Sequence, residues 1–249
     1  MKPFSADLHI HTALSPCADD DMTPPAIIET AIKKGLQIIA ICDHNTAGNV
    51  AAVKTAGEDE LLVIPGIEIT TREEAHILGL FETCEAAGAV GELVVSSLPN
   101  SYAGKPRGRQ VVVNERGRAV RLEPHRLFLA STYSVSGAVD LIHGCGGMAI
   151  ASHVDRPSFS VLSQLGMLPP GVVFDAIEVS PAGHRAGRSS GYESTGYPVV
   201  VSSDSHFLTE IGCCRTFFSM EACSFAGLKQ AIHRRRQQIL NHEDGMIDL

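Results

Sequence analysis

Short apolar runs along this chain end repeatedly in histidine or a carboxylate. ADLHIHT closes on His9 and His11, LQIIAICDHN on Asp43 and His44, MAIASHV on His153, and YPVVVSSDSH on Asp204 and His206. Glu68 falls near the end of LLVIPGIEITT, and His76 opens AHILGLF. Runs this short and aliphatic, closed by polar residues, read as buried strands. Helical segments separate them. TPPAIIETAIKKG has Thr23 and prolines at its start and Gly35 as its stop, and SGAVDLIHGCGG and FAGLKQAIHRRRQQIL carry helical spacing. Strand-then-helix repetition predicts a parallel sheet or barrel. In such folds sites gather at the carboxyl ends of the strands, so residues far apart in sequence meet there.

Composition agrees with an α/β barrel. The 249 residues are 44% hydrophobic and contain no Trp, so the core must be aliphatic. That length suits one barrel domain over residues 1–249. One stretch breaks the alternation, an insertion around 98–122. It holds a basic Gly/Pro-containing loop with Lys105, Arg107 and Arg109, then a hairpin turning near Glu115 to Gly117 and carrying Arg116, Arg118 and Arg121. Net charge is −8, which argues against a dedicated nucleic-acid binder. Seven cysteines, an odd number with no CxxC, do not form a disulfide framework. MKPFSADLHI lacks a signal-peptide apolar region, and no apolar run approaches the roughly 20 residues that span a bilayer. The expectation is a cytoplasmic protein with no membrane partner.

Asp7, His9 and His11 stand at period two, which places them on one strand face. A single buried histidine is more often a hydrogen-bonded core residue than a ligand. Several imidazoles and carboxylates at one barrel mouth are different, because stranded buried charges cost several kcal/mol each. Divalent metal resolves the conflict, since it takes neutral imidazole and ionised carboxylate. An imidazole and carboxylate set without thiolate suits Zn, Mn or Fe.

Taken in order, DLHIHT, ICDHNT, PGIEITT with AHILGL, ASHVDRP and SSDSH resemble the motifs of the PHP (polymerase and histidinol phosphatase) family. LSPCADDDMTP and HVDRPSFSVLSQLG resemble a stand-alone subgroup described as metal-dependent phosphoesterases. The resemblance implies a distorted (β/α)7 barrel and two or three divalent ions. It implies that His9, His11 and Asp204 hold one ion, and that Glu68 bridges to a second held by His76 and His153. His44 and His206, with an acidic residue of the first loop, are implied for a third. Asp19 is the choice there among Asp19, Asp20 and Asp21.

Such a centre hydrolyses a phosphate ester by a metal-bridging hydroxide. Catalysis is expected to run through Glu68, Asp204 and His206, the last also as an acid for the leaving oxygen when it is not a ligand. Arg156 is the expected phosphate binder, by resemblance and because its guanidinium fork matches phosphate oxygens; the alternative is an ion pair with Asp155 or a capping role. His184, Arg185 and Arg188 follow the FDAIEVS strand and lie at the same end. Asp7 and Asp43 read as supports that orient ligand histidines. Cys17 and Cys42 read as packing. His125, His143, His233 and His242 are left outside the site.

The leading reading is hydrolysis of a phosphate monoester, a small metabolite phosphate or a nucleotide. An exonuclease or nucleotide phosphodiesterase on the same centre is the alternative, with a short oligonucleotide as partner and the basic insertion as a positive wall or lid. An amidohydrolase is disfavoured, because no lysine stands at a strand end for a bridging carbamate. A non-catalytic module is disfavoured by the near-complete ligand set.

Overall fold

Eight strands form one mixed sheet that curls almost into a closed barrel. A computed structural model describes residues 1–58, 60–99 and 108–244. Among these the strands are β1 (Lys2–Ile10), β2 (Ile38–Ile41), β3 (Leu62–Thr70), β4 (His76–Leu80), β5 (Val111–Val113), β6 (Ala119–Leu122), β7 (Met148–Ala151), β8 (Ala176–Val179), β9 (Val199–Val201) and β10 (Thr216–Met220). The helices are α1 (Pro24–Lys33), α2 (Val50–Ala56), α3 (Cys84–Ser96), α4 (Val135–Gly144), α5 (Val161–Leu165), α6 (Pro181–Arg185) and α7 (Phe225–Asp244).

The sheet order is β10-β1-β2-β3-β4-β7-β8-β9. β1–β2, β2–β3, β7–β8 and β8–β9 pair in parallel. β10–β1, β3–β4 and β4–β7 pair antiparallel, so the expected parallel barrel is in fact mixed. The ends approach each other through a parallel bridge from Ile10 to Ser205. Thr216 Oγ1 also donates to Val201 O (2.9 Å) and accepts from Val201 N (2.8 Å), standing in for a β9–β10 ladder.

Each strand gives one face to the inside. Ala6, Leu8, Ile38, Ala40, Ile64, Leu78, Leu80, Met148, Ile150, Ala176, Val200 and Phe218 form this inner core. Phe225, Leu228, Ala231 and Ile232, one apolar stripe of α7, seal it at the end from which the parallel strands start. The outer faces of β1 to β3 pack under α1 and α2, and those of β3, β4, β7 and β8 under α3 and α4. The opposite end of the barrel is left for polar residues.

The pairing of β1 with β2 slips between Asp7 and Ile10, where β1 spends three steps on two of β2. Such a bulge re-aims the side chains beyond it. Ala6 and Leu8 therefore belong to the inner core, whereas Ile10 belongs to the outer one. This corrects the period-two reading. His9 and His11 turn into the barrel mouth, but Asp7 does not share their face. Its carboxylate accepts from Ser203 N (2.9 Å) and Gly212 N (2.8 Å), tying β1 to the segment after β9.

The insertion holds the expected hairpin, β5 and β6. Gly117, at φ +73°, donates to Asn114 O across its turn (2.9 Å). Lys105 and Arg107 lie outside the described residues. Arg109 pairs with Asp20 (2.7 Å), Arg116 with Glu115 (3.6 Å) and Arg121 with Glu123 (2.7 Å). Among the described residues no helix is long and apolar enough to cross a membrane.

Asn49 docks the hairpin to the barrel. It donates to Thr12 Oγ1 (2.9 Å) and Val111 O (3.0 Å) and accepts from Val113 N (2.9 Å). Asn49→Ala leaves these buried groups unpaired and should cost about 2 kcal/mol of stability. Urea unfolding reads the loss, and hydrogen exchange should show β5 deprotected ahead of the barrel strands. Unchanged protection of β5 would show that the hairpin is held by other contacts.

Candidate metal centre

The strand ends deliver their polar residues to one place. His9 and His11 leave the bulged end of β1. His44 follows β2 and is bridged in parallel to Glu68 of β3. β4 runs antiparallel, so its first residue, His76, sits opposite Thr70 at the same end. His153 follows β7, and Asp204 and His206 follow β9. His153 (φ +26°) and Asp204 (φ +49°) both adopt left-handed backbone, which is costly for residues with a Cβ and concentrates at functional sites.

Glu68 is the hub. Its carboxylate lies 2.9 Å from His44 Nδ1, 2.9 Å from His76 Nδ1, 3.2 Å from His153 Nε2, 3.4 Å from His9 Nε2 and 3.5 Å from His11 Nε2. Asp204 Oδ1 lies 3.1 Å from His11 Nε2 and 3.3 Å from His9 Nε2. All these side chains are buried or nearly so.

Outer partners fix which nitrogen faces inward. His9 Nδ1 meets Glu178 Oε2 at 3.0 Å, and the same oxygen accepts from His153 N (3.2 Å). His11 Nδ1 meets Ser15 Oγ at 2.9 Å. Ser15 Oγ donates to Asp43 (2.6 Å), which also accepts from Thr12 N and Oγ1 (2.7 Å each). Both rings thus turn Nε2 inward, and the two Nε2 atoms stand 3.2 Å apart. Two lone pairs that close need a proton or a cation between them. Asp43 acts as the expected support, through Ser15. Asp7 touches neither ring. Glu178, which does, escaped the sequence reading; its signal was a lone carboxylate inside the apolar strand FDAIEVS.

Without a cation the charges must balance through protons. Burial opposes ionisation of Glu68, but the charges of His76, His9 and His44 hold it well below the usual carboxylate range. Asp204 behaves likewise against burial, through His9 and a hydrogen bond from His11. Burial works against charge on His9, yet Asp204, Glu178 and Glu68 raise its pKa well above the ordinary value; Glu68 does the same for His44. Burial and the neighbouring His206 and His44 push His11 well below, and burial brings His76 down to about 4.

The fit to metal is seen in atoms left without hydrogen bonds. His44 Nδ1 and Glu68 Oε2, though 2.9 Å apart, are not aligned for one, and His153 Nδ1 is also unpaired. Among the described residues, three groups have ligand atoms within 4.8 Å of one another and could hold an ion: His9, His11 and Asp204; His44, Glu68 and His76; and His11, His44 and His206. His153 joins the second through Glu68. Cys17 is in none of them, and neither is Asp19. Its carboxylate is exposed and accepts from Asp21 N (2.9 Å). The first-loop side chain that arrives instead is Cys17, whose Sγ lies 3.2 Å from His44 Nε2. Burial disfavours its thiolate, but hydrogen bonds to His206 and His44 outweigh that and lower its pKa to about 6. Cys42 is buried packing, as expected.

Two cavities open over the cluster, of 710 and 330 Å³, and Cys17, Arg156, Asp204 and His206 line both. Arg156 Nη2 lies 2.5 Å from Asp204 Oδ2. Asp155, its alternative partner, is occupied by Ser180 N and Oγ (2.7 Å each). Arg185 and Arg188 line the larger cavity. His184 does not; its Nδ1 meets Ser189 Oγ (3.0 Å). None of Arg109, Arg116, Arg118 and Arg121 lines either cavity.

Comparison with known proteins places this arrangement. The chain is 35% identical to the uncharacterized protein MJ1587 of Methanocaldococcus jannaschii, over 43% of this chain and 75% of that one. It is 27% identical to the 5′-3′ exoribonuclease Rnm of Escherichia coli, over 62% of this chain and 67% of that one. Its fold superposes on the lesion-specific endonuclease PfuEndoQ of Pyrococcus furiosus with a TM-score of 0.72 and 17% identity, covering 93% of this chain but 56% of the endonuclease. The PHP domain matches residues 7–159 and the PHP-associated region residues 190–237. The barrel whose mouth gathers these histidines therefore belongs to the PHP family.

Proposed function

We propose that this chain is a metal-dependent hydrolase of phosphate esters, acting on a phosphate monoester of a small metabolite or nucleotide. The observation that carries this reading is Glu68, buried and within 3.5 Å of five imidazoles that the protein alone leaves partly unpaired. His9, His11 and Asp204 hold one ion. Glu68, His76 and His153 would hold a second, and His44 and His206 would serve a third. When bound, divalent ions supply Lewis-acid polarisation of phosphoryl oxygens and activation of water.

The chain's own residues do the rest. Glu178 and Ser15 fix the tautomers of His9 and His11. Asp204 anchors Arg156, whose guanidinium lines both cavities and offers a charge-matched fork to an anionic substrate. Arg185 and Arg188 extend that positive lining along the larger cavity. His206 Nδ1 donates to Asp204 O (2.9 Å), which leaves Nε2 for an ion or for the leaving oxygen.

A second reading, removal of nucleotides from an oligonucleotide end, has a specific support. The 710 Å³ cavity is larger than one phosphate requires and carries an exposed Phe207 beside Arg185 and Arg188. An exoribonuclease is also among the similar proteins.

Purified protein should carry two or three divalent ions per chain by elemental analysis. Chelation should abolish hydrolysis of p-nitrophenyl phosphate, and zinc, manganese or iron should restore it, while Glu68→Gln should neither retain the full ion count nor hydrolyse the ester. Hydrolysis that survives complete removal of metal would end this reading. Glu178→Ala should weaken metal affinity about 10–100-fold with the fold intact, as loss of a ligand's outer partner does; titration with a competing chelator measures it. A panel of nucleoside monophosphates and 5′-phosphorylated oligonucleotides separates the two substrate readings. Monoester turnover should exceed oligonucleotide turnover. The reverse order, with oligonucleotide turnover falling steeply as salt rises, would favour the exonuclease.

A further inference from the structure

We infer that Cys17 is a thiolate ligand of the third ion, in the place expected of Asp19, and that this ion is one of the softer divalent metals, zinc, iron or cobalt. The inference rests on the metal reading proposed above. His11 is shared between two of the three donor groups. Its Nδ1 is committed to Ser15 Oγ, so it has one nitrogen, Nε2, for one ion. Spent on the ion of His9 and Asp204, it leaves His44 and His206 as two donors for a third ion, one short of the three protein ligands of an open site.

Cys17 makes up the number. Its Sγ lies 3.2 Å from His44 Nε2, and it lines both cavities over the cluster together with His206. His44 then binds through Nε2, and the second ion keeps Glu68, His76 and His153. Backbone contacts fix the thiol in this position. Ala18 N donates to Ser15 O (3.0 Å) and Asp19 N to His206 O (2.9 Å), so the loop is laced to the segments that carry His11 and His206. The same lacing turns the Asp19 carboxylate outward to Asp21 N. A thiolate with imidazoles prefers zinc, iron or cobalt to magnesium, calcium or manganese. Binding there displaces the thiol proton to solvent.

The test loads the full chain with Co(II) and compares it with Cys17→Ser. Wild type should show a near-ultraviolet sulfur-to-cobalt charge-transfer band that the variant lacks. By elemental analysis the variant should hold one ion fewer per chain. Iodoacetamide should label Cys17 after chelation and not in the loaded protein, as read on its peptide by mass spectrometry. A cobalt-loaded wild type without the band overturns the inference. So does a Cys17→Ser variant with an undiminished ion count, or loss of the ion in Asp19→Asn but not in Cys17→Ser. Wild type that binds no divalent ion overturns the phosphoesterase reading together with this one.

Discussion

One buried carboxylate organises the mouth of this barrel. Glu68 sits near the carboxyl end of β3 with no exposure to solvent, where an unmatched charge costs several kcal/mol. Among the described residues no arginine or lysine forms an ion pair with it. Its neighbours are imidazoles, which match it only when protonated or when a cation lies between. Five histidines brought to one carboxylate are too many to be charged together, since each would repel the next. The opposed shifts record this competition, with His9 and His44 drawn toward protonation and His11 and His76 driven from it. Divalent ions relieve it by replacing those few protons and leaving every ring neutral.

The barrel is shaped to make that arrangement reachable. A regular β1 would place His9 on the same side as Asp7, facing out of the barrel, and send Leu8 and Ile10 inward. The bulge between Asp7 and Ile10 changes side within two residues. It lets one strand feed Ala6 and Leu8 to the sealed inner core and His9 and His11 to the polar mouth. The antiparallel turn of β4 does the same for His76, presenting the start of a strand where its neighbours present their ends. Asp7, left on the other side, became a strap to Ser203 and Gly212 that keeps the segment before Asp204 and His206 against β1.

Much of this was legible in the sequence, because strand ends are where polar residues interrupt apolar runs. That signal located His9, His11, His44, Glu68, His76, His153, Asp204 and His206 without coordinates, and the hairpin of the insertion was legible from its turn. Other features depend on information a single run does not hold. A bulge adds one residue without changing composition, so the face of Asp7 was misread. Glu178 stands inside its strand, and its two partners come from β1 and from the second residue after β7. β10 is too short for its alternation to stand out before α7. The first loop is decided by which backbone N–H groups meet which carbonyls, and no spacing rule favours Cys17 over Asp19. The basic insertion looked like a wall for polyanions, yet Arg109, Arg116 and Arg121 meet acids within the chain.

The charge distribution around the centre follows the same division of labour. The chain is acidic overall, and the cluster itself contributes carboxylates. An anionic ester approaching such a surface needs local positive charge that the barrel does not supply by default. On the proposed reading, bound cations would provide it at depth, and Arg156, which lines both cavities, at their boundary. Arg156 can do so because Asp155, its neighbour in sequence, is held by Ser180. The Ser180–Asp155 contact therefore belongs to the substrate side of the site although it touches no ligand atom. It leaves the guanidinium to pair with Asp204, and so joins the proposed phosphate-binding wall to a proposed metal ligand. Arg185 and Arg188 sit on the segment that Ser180 begins, so one serine links all three arginines to the strand ends. On the proposed reading, affinity for the phosphate and occupancy of the metal sites would not be independent, because Asp204 stands in both.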